Sequence, residues 1–453
     1  MLTGIEFFDE SVVKGGFQDG SLILLAGEPG TGKTIFSSQI IYSTMKKNKD
    51  KCIYVSFSES KSDYFREMSS LGMDFGKLET AGLFKFMDLV SVSKEVIESE
   101  VELIMKEIIR LAPKFVVIDS VSALTQLMGK EKVRVFLHTT LGRFVKTVGS
   151  IVLLIAEKPF GEEKIGYGIE EFITDGVIVL KMEKVKEANR RILEIRKMRG
   201  HEIKRPQYEF VITEKGIEFL EVPELVMTRR DSSTERITTG LSELDELLDG
   251  GVFADSITLI AGQTGTGKTS LGLHFAIQNA LDGRNAVFIS FEEQPGNLIR
   301  QARIYELEID KVLDKTLTIY SWVPEAQTPV DFFIKIKRII EKENPQVLVI
   351  DSLTSMRQRM DETELVKLLR YLQLLIKSKK IATYVTLFLE NVEMNIIPLT
   401  MASTFADNII ILRYKIEEEE VKRQLIIVKA RGSAHSRKIQ MYEINSKGVV
   451  FRQ

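Results

Sequence analysis

The chain has 453 residues, and its 62 lysines and arginines nearly balance its 64 aspartates and glutamates, for a net charge of −2. This balance argues against nucleic acid as a ligand, because no field of one sign surrounds the whole molecule. The single cysteine, Cys52, excludes an internal disulfide framework and fits a reducing compartment. No apolar run reaches the roughly 18 residues of a membrane span, and we find no signal peptide, so we expect a cytoplasmic protein.

In chain order, the first strong pattern is an apolar run at residues 21–26, followed at 27–34 by Gly-Glu-Pro-Gly-Thr-Gly-Lys-Thr. The same order recurs at residues 256–269, where Gly-Gln-Thr-Gly-Thr-Gly-Lys-Thr precedes a predicted helix at 270–280. Strand, loop and helix in this order predict a phosphate-binding loop, in which backbone N–H groups and the helix N-terminus surround the phosphates. The predicted nucleotide-binding residues are Gly30, Thr31, Gly32, Lys33, Thr34, Gly265, Thr266, Gly267, Lys268 and Thr269.

The two loops belong to an internal repeat. Lys33 and Lys268 are 235 positions apart (268 minus 33), and Asp119 and Asp351, each at the end of an apolar run, are 232 positions apart (351 minus 119). Two domains of about 220 residues each are long enough to bury separate cores. We therefore expect a first domain at residues 1–222, a polar linker at 223–236 and a second domain at 237–453.

Strand-like runs alternate with helical patterns in both halves. The predicted strands are residues 52–57, 115–119, 177–180 and 191–196 in the first half, and 286–291, 347–351, 409–414 and 424–428 in the second. Helices are predicted at 92–111 and 332–342, before the strands that end in aspartate. This order predicts an α/β fold in which helices flank a mostly parallel sheet, with the ligand at the carboxyl ends of the strands and antiparallel strands at the end of each half.

Asp119 and Asp351 end their strands where a carboxylate can hold Mg²⁺ together with Thr34 or Thr269. In each loop the lysine, Lys33 or Lys268, supplies a positive charge to the terminal phosphates during transfer.

A second pair of carboxylates follows the strand at 286–291, which we expect to lie beside the loop strand. There Glu292 or Glu293 can take a proton from an attacking water molecule. The first half has Ser58 and Glu59 at these positions, so it retains one carboxylate. We therefore expect the second half to hydrolyse ATP faster.

These features together resemble the KaiC-like ATPases of the RecA-like group, which carry two tandem domains. The resemblance covers nearly the whole chain and rests on both loops, the Glu292-Glu293 pair, the segments 167–175 and 403–407, and Lys-x-Arg-Gly at 197–200 and 429–432. It implies two tandem RecA-like P-loop domains, ATP and Mg²⁺ as cofactors, and a two-tiered homohexameric ring with ATP between neighbouring subunits. It also implies signalling proteins as partners.

The resemblance further implies individual roles. Glu292 corresponds to the general base, and Tyr305 to an aromatic residue near adenine. The residues that match those reaching the nucleotide of a neighbouring subunit, or lying close to it, are Lys197, Arg199, Arg423, Lys429, Arg431, Ser433 and His435. Ile203 stands at the histidine position in the first half. An arginine that follows a strand, with no acidic partner nearby, suits a charge donated in trans to the γ-phosphate.

Ser403 and Thr404 fall on the two phosphorylated positions of the family, a serine followed by a threonine, shortly before Asp407. The resemblance therefore implies serine/threonine autokinase activity in the second half. The first half has Glu171 and Phe172 there, without a hydroxyl. Because the chain stops at Gln453, soon after the last predicted strand, we expect no counterpart of the tail that binds an activating partner in the clock protein of this family.

Three functional classes remain open: a regulatory ATPase with autokinase activity, a RecA-like or helicase-like DNA motor, and a nucleotide-gated scaffold with little turnover. A motor needs basic loops that face the pore of the ring. The candidate segments, 126–134 and 356–362, mix both signs of charge. The four histidines have no ligand spacing, and we expect structural or surface roles for them: they are His138, His201, His274 and His435.

Overall fold

The computed structural model describes the chain at residues 1–90, 92, 94–158, 173–185, 188–203, 205–219, 233–322, 328–357, 361–389, 402–417 and 420–452. It divides into two compact units, Met1–Glu221 and Val222–Gln453. Most of the predicted linker, residues 223–232, lies outside the described residues, as do residues 167–172 of the family motif and residues 358–360 of one candidate pore segment.

The described strands of the first unit form one sheet in the order β3-β2-β4-β5-β1-β6-β7-β8-β9. The strands are β1 (Leu22–Gly27), β2 (Cys52–Ser56), β3 (Phe84–Asp88), β4 (Phe115–Asp119), β5 (Ile151–Glu157), β6 (Gly176–Val185), β7 (Ala188–Met198), β8 (Gln207–Thr213) and β9 (Gly216–Phe219). Neighbours run parallel from β3 to β6 and antiparallel from β6 to β9. The described helices are Phe8–Val12, Lys33–Asn48, Lys61–Ser70, Phe75–Thr80, Ile97–Leu111, Val121–Met128, Lys130–Val135, Phe136–Leu141 and Gly142–Val148.

The second unit repeats this sheet in the order β14-β13-β15-β16-β12-β17-β18-β19-β20. Its strands are β10 (Arg236–Ile237), β11 (Val252–Phe253), β12 (Ile257–Gly262), β13 (Ala286–Ser290), β14 (Leu317–Ser321), β15 (Val347–Asp351), β16 (Ala382–Phe388), β17 (Asn408–Glu417), β18 (Glu420–Ala430), β19 (Gln440–Asn445) and β20 (Gly448–Phe451); β10 and β11 form a separate pair. The described helices are Ser242–Leu247, Lys268–Leu281, Pro295–Ile304, Ile309–Val312, Pro329–Glu343, Leu353–Arg357, Glu362–Lys379 and Ala402–Phe405. None of the described helices is long and apolar enough to cross a membrane.

Strand β1 shows why each sheet is covered on both faces. Leu22 and Leu24 pack in one buried cluster, whereas Ile23 and Leu25 pack in another on the opposite face. Successive side chains of a strand point to opposite faces, so a strand that is apolar throughout must lie between two layers of helices. The predicted fold class is confirmed in both units.

Three details differ from the sequence predictions. The helix predicted at 92–111 begins at Ile97, after residues that form a turn. The strand that precedes Glu292, β13, does not lie beside the loop strand β12, because β15 and β16 separate them. That expectation was wrong because the chain adds β16 late, after the strand that ends in Asp351. The strands that were not anticipated are β3, β5, β8 and β9 in the first unit and β10, β11, β14, β16, β19 and β20 in the second.

His274 links the loop helix of the second unit to its last hairpin. It is only 5% exposed, and its Nε2 atom accepts a hydrogen bond of 3.2 Å from the backbone N–H of Val449. Burial lowers its pKa to about 4. In the first unit Gln39 occupies the matched position, and its Oε1 atom accepts the N–H of Ile217 at 2.7 Å.

We expect His274→Gln to reduce the acid sensitivity of the second unit. In the native protein, the unfolded chain binds a proton below pH 6.5 that the folded protein does not bind until about pH 4, so protonation favours unfolding. Native stability should therefore fall by about 2 kcal/mol between pH 7.5 and pH 5 through this residue. Glutamine keeps the acceptor and does not titrate.

Denaturant titrations followed by the fluorescence of Trp322 measure this effect, since the only tryptophan of the chain lies in the second unit. Other acid effects are common to both proteins and cancel in the difference. An equal loss of stability at pH 5 in the native protein and in His274→Gln would contradict the assignment.

Candidate nucleotide-binding and catalytic sites

The phosphate-binding loops connect a central strand to a helix in both units. Gly267 caps the helix Lys268–Leu281 with φ of 96°, in the left-handed region, and a Cβ atom there would lie 2.7 Å from Ile444. The left-handed conformation favours glycine here, and a larger residue would also displace the end of the Ile444 side chain. Lys268 Nζ donates to the carbonyls of Gly262 at 3.0 Å and Gln263 at 2.9 Å.

The first loop has the same geometry. Lys33 Nζ donates to the carbonyl oxygens of Gly27 and Glu28, both at 2.9 Å. Burial lowers the pKa of Lys33 and of Lys268, while the nearby Asp119 and Asp351 oppose this shift. Both ammonium groups therefore lie at the start of the loop, within a few ångströms of the backbone that encloses the phosphates in a loop of this type.

Each loop helix is joined to a strand end by a hydroxyl and a carboxylate. Thr34 Oγ1 donates to Asp119 Oδ2 at 3.1 Å, and Thr269 Oγ1 donates to Asp351 Oδ2 at 2.8 Å. Both aspartates are buried, and burial raises their pKa while the hydroxyl donors oppose the shift. One hydroxyl and one carboxylate side by side are hard oxygen donors of the kind that Mg²⁺ prefers, so these residues fit the ion.

A second donor supports each aspartate, and the sequence reasoning missed both. Tyr54 on β2 donates to Asp119 Oδ2 at 2.7 Å, whereas Thr386 on β16 donates to Asp351 Oδ1. The two donors stand on different neighbouring strands and at unmatched positions of the repeat. A buried polar residue within an apolar strand was the available signal for Thr386.

A cavity of about 570 Å³ opens beside the second loop. It brings together most of the residues predicted for the second site, and it adds several that were not predicted. The lining residues are Thr264, Gly265, Gly267, Lys268, Thr269, Ser270, Glu292, Glu293, Gln301, Tyr305, Thr354, Phe388, Arg423 and Ile444. Thr266 is fully buried beneath the loop and donates to the carbonyl of Gln263 at 2.7 Å.

Glu292 and Glu293 enter this cavity from the turn after β13. Ser290 Oγ accepts the N–H of Glu293 at 2.9 Å, which fixes the turn. Glu292 is exposed, and its Oε1 atom accepts a hydrogen bond from the hydroxyl of Ser352. Burial raises the pKa of Glu293, and the negative charges of Asp351 and Glu292 raise it further. Glu292 is thus the more accessible of the two carboxylates.

The first unit has a different acidic group at this place. Ser58 is exposed, and Glu59 is half-buried with its carboxyl hydrogen-bonded to that of Glu67. Burial, followed by the charge of Glu67 and this hydrogen bond, raises the pKa of Glu59 to about 7. The second unit has Gln301 at the position of Glu67 and therefore has no such carboxyl pair.

Tyr305 lies at the end of the helix Pro295–Ile304, in the wall of the cavity. Its hydroxyl is 3.2 Å from Ser270 Oγ and accepts from Gln301 Nε2 at 3.1 Å. This contact ties the helix to the loop helix next to the phosphate-binding residues. The first unit has Leu71 at the matched position, which is aliphatic.

Arg423 lies on the loop of its own chain. Its Nε atom donates to the carbonyl of Gly265 at 3.2 Å, and its guanidinium stands 5.7 Å from the ring centre of Tyr414. Sequence reasoning grouped Arg423 with residues near a neighbour's nucleotide, but it lines the cavity of the same unit.

The Lys-x-Arg pair of the second unit lies near the start of the loop strand, at the end opposite to the phosphate-binding loop. Lys429 Nζ donates to the carbonyl of Ala406 at 2.6 Å. Arg431 has an acidic neighbour, because its guanidinium is 3.8 Å from Asp407. The same carboxylate accepts the N–H of Ile257, the first residue of the loop strand, at 3.0 Å.

The first unit repeats this arrangement. Lys197 Nζ donates to the carbonyl of Thr174, and Arg199 pairs with Asp175 at 3.1 Å. The expectation that these arginines lack an acidic partner was wrong in both units. It failed because the aspartate that accepts the first N–H of the loop strand also lies beside the residue that follows β7 or β18.

The remaining predicted residues of the second unit also lie at this end of the strands. Ser433 Oγ donates to the carbonyl of Leu248 at 3.1 Å, and His435 is half-buried in the same loop. Ser403 and Thr404 lie in the short helix Ala402–Phe405. Thr404 is exposed, and the side chain of Ser403 is outside the described residues.

Comparison with known proteins identifies the family. The family model "ATPase: KaiC" matches residues 1–224 and again residues 237–453. The chain is 32% identical to the circadian clock oscillator protein KaiC of Parathermosynechococcus lividus, an alignment that covers 99% of this chain and 85% of that protein. The chain belongs to the KaiC ATPase family. It is also similar to KaiC of Synechococcus elongatus, with 30% identity over 99% of this chain and 88% of the relative. The circadian clock protein KaiC3 of a Synechocystis species shows 29% identity over 99% and 90%.

As a KaiC-type ATPase, the chain binds nucleotide, and the geometry of both loops agrees with this family assignment. Among the differences between the two sites, Ser58 stands at the position of Glu292 and Glu67 at that of Gln301. The functional residues that sequence reasoning missed are hydroxyl donors to these acids, namely Tyr54, Ser352 and Thr386.

Proposed function

We propose that the chain is an ATP-hydrolysing regulatory protein of the KaiC type, in which the second domain carries most of the turnover. The cavity that places Glu292 together with Lys268 and Thr269 is the observation that supports this proposal. We further propose a cytoplasmic protein whose ATPase domains are residues 1–222 and 237–453, joined by a linker at 223–236, and whose partners are signalling proteins.

In this mechanism the loop N–H groups and Lys268 bind the β- and γ-phosphates. Thr269 and Asp351 would hold Mg²⁺, which when bound supplies positive charge to the phosphate oxygens. Glu292 accepts the proton of the attacking water, since it is the exposed carboxylate of the pair. Arg423 keeps the loop in place from the same chain through its bond to Gly265.

The first domain is proposed as the slower ATP site. Ser58 has no basicity at neutral pH, which removes the general base at the matched position. Glu59 remains, but it corresponds to Glu293 and shares a hydrogen bond with Glu67. The loop residues Lys33 and Thr34 are complete, so nucleotide binding is retained in the proposal.

Glu292→Gln should remove most of the ATPase turnover, by about two to four orders of magnitude at the second site, while ATP binding persists. The amide keeps the shape and loses the basicity. Measurements of kcat and of nucleotide affinity check this expectation. Lys33→Ala is the control for the first site and should leave most turnover intact. Loss of turnover in Lys33→Ala with full turnover in Glu292→Gln would reverse the assignment.

We also propose that the chain forms a nucleotide-dependent homohexameric ring in which each site is completed by a neighbouring subunit. In the sheet, Asn408 lies at the start of β17, and Leu412 pairs with the last residue of the loop strand. Four residues of strand separate these points by about 13 Å. Lys429 pairs with Ile409, next to Asn408, and Arg431 directly follows β18, so both residues lie at the end of the strands that is far from the loop of their own chain. In a ring, a neighbour's loop would be accessible to them.

A mixing experiment tests this arrangement. Arg431→Ala and Glu292→Gln should each have low second-site turnover, but a ring assembled from both should regain part of it. In the mixed ring, a site with an intact Glu292 receives Arg431 from a Glu292→Gln neighbour. Native mass measurements with Mg-ATP should show a hexamer. A monomer at micromolar concentration, or no recovery on mixing, would contradict the in-trans role.

Autophosphorylation at Ser403 or Thr404 is proposed as a second activity. Gln373 Nε2 donates to the carbonyls of Thr404 at 3.3 Å and Phe405 at 2.9 Å, and Lys429 donates to the carbonyl of the next residue, Ala406. This helix therefore lies at the same end of the strands as the Lys-x-Arg pair. In the proposed ring, the helix Ala402–Phe405 would face the neighbour's γ-phosphate. The phosphoryl group would pass to the hydroxyl oxygen, its proton would pass to Glu292 of the neighbour, and ADP would be released.

Purified protein incubated with Mg-ATP should acquire phosphate within residues 400–408, as measured by mass spectrometry. Glu292→Gln should label far less, because no base accepts the hydroxyl proton. A Ser403→Ala, Thr404→Ala double variant gives the background. Absence of label in the native protein, or equal labelling in Glu292→Gln, would exclude the kinase activity.

A further inference from the structure

Ser352 is a buried hydroxyl between the metal-binding aspartate and the candidate base. It directly follows Asp351 and is 1% exposed. Its oxygen accepts the N–H of Thr354 at 3.3 Å, and its hydroxyl donates to Glu292 Oε1. The bond therefore spans two adjacent strands, since Ser290 on β13 pairs with Asp351 on β15.

Glu292 has little else to orient it. The side chain is exposed and has three rotatable bonds. Its backbone N–H lies 3.4 Å from Ser290 Oγ, which holds the backbone and leaves the carboxylate free to rotate. A freely rotating carboxylate would spend much of its time away from the attacking water. The hydroxyl of Ser352 is itself fixed by burial and by Thr354, so it is a rigid anchor for one carboxylate oxygen.

The first unit separates the two duties of this serine. Ser120 stands at the matched position, is also buried, and accepts the N–H of Ala123 at 3.2 Å as a helix cap. The residue at the position of Glu292 is Ser58, which offers no carboxylate to a hydroxyl donor. Capping is thus common to both serines, whereas donation to a glutamate is confined to the second unit among the described residues.

We propose that Ser352 is a positioning residue for ATP hydrolysis in the second domain. Its hydroxyl holds Glu292 Oε1 and leaves Oε2 directed towards the attacking water, from which Oε2 takes the proton. The proposal rests on the proposed function, because it requires Glu292 to be the base. A hydrogen bond to a charged group contributes enough to affect the rate about tenfold or more when it is lost.

The test is a double-mutant cycle on the full chain. Ser352→Ala should lower kcat about tenfold or more and leave the KM for ATP nearly unchanged, because binding does not require an oriented Glu292. In a Glu292→Gln background the same change should have no further effect on turnover, since the group it positions has lost its basicity.

Ser120→Ala is the matched control. It removes a capping serine from the corresponding helix and should leave the turnover of the second site unchanged. Far-UV circular dichroism verifies that each variant is folded, and Trp322 fluorescence checks the second unit separately. Intact kcat in Ser352→Ala, a rise in KM alone, or an equal loss with and without Glu292 would overturn the positioning role. If Glu292→Gln itself retains turnover, the proposed function fails first, and the two failures are distinguishable.

Discussion

A buried aspartate at the end of a central strand determines the arrangement of each unit. Removing a carboxylate from water costs several kcal/mol unless hydrogen-bond donors compensate. Thr34 and Thr269 donate from the loop helices, which fixes the loop against the strand end. The second donor differs: Tyr54 reaches Asp119 from β2, and Thr386 reaches Asp351 from β16. Both units therefore have the aspartate, but its second hydrogen-bond donor differs between them, because any hydroxyl that reaches the carboxylate satisfies the requirement.

A second aspartate fixes the opposite end of each loop strand. Asp175 accepts the N–H of Leu22, and Asp407 accepts the N–H of Ile257. These carboxylates also pair with Arg199 and lie near Arg431. One strand is thus anchored at its start beside the arginine and at its end by the loop. In the proposed ring, this strand would connect the loop at one interface to the arginine at the next.

Much of the fold and part of the site follow from local sequence patterns. The loops, the aspartates and the α/β class were predictable because glycine spacing and apolar strands have short-range signatures. The strand order was not, since a carboxylate after β13 has the same local pattern whether that strand neighbours β12 or lies three places away. The donors Tyr54 and Thr386 within apolar strands, and Ser352 directly after one, were missed for a related reason: a hydroxyl at such a position gives no indication of its partner. The acidic partner of Arg431, Asp407, directly precedes β17 and lies 24 positions earlier (431 minus 407), so local spacing did not reveal it.

The carboxylate pairs show how the two sites have diverged. In the second domain, burial and the charges of Asp351 and Glu292 raise the pKa of Glu293. Gln301, which stands at the position of Glu67, is an amide and does not titrate. In the first, burial and Glu67 raise the pKa of Glu59 to about 7, so near neutral pH about half of these carboxyls carry a proton. A proton between Glu59 and Glu67 reduces the electrostatic repulsion of these two groups. Relative to the second site, the first has lost a carboxylate at Ser58 and gained one at Glu67. With the pKa of Glu59 raised in this way, the pair of Glu59 and Glu67 carries less negative charge near neutral pH than two separate carboxylates would. In the proposed function, this smaller negative charge would favour ATP binding at the first site, and Ser58 in place of Glu292 would disfavour hydrolysis there.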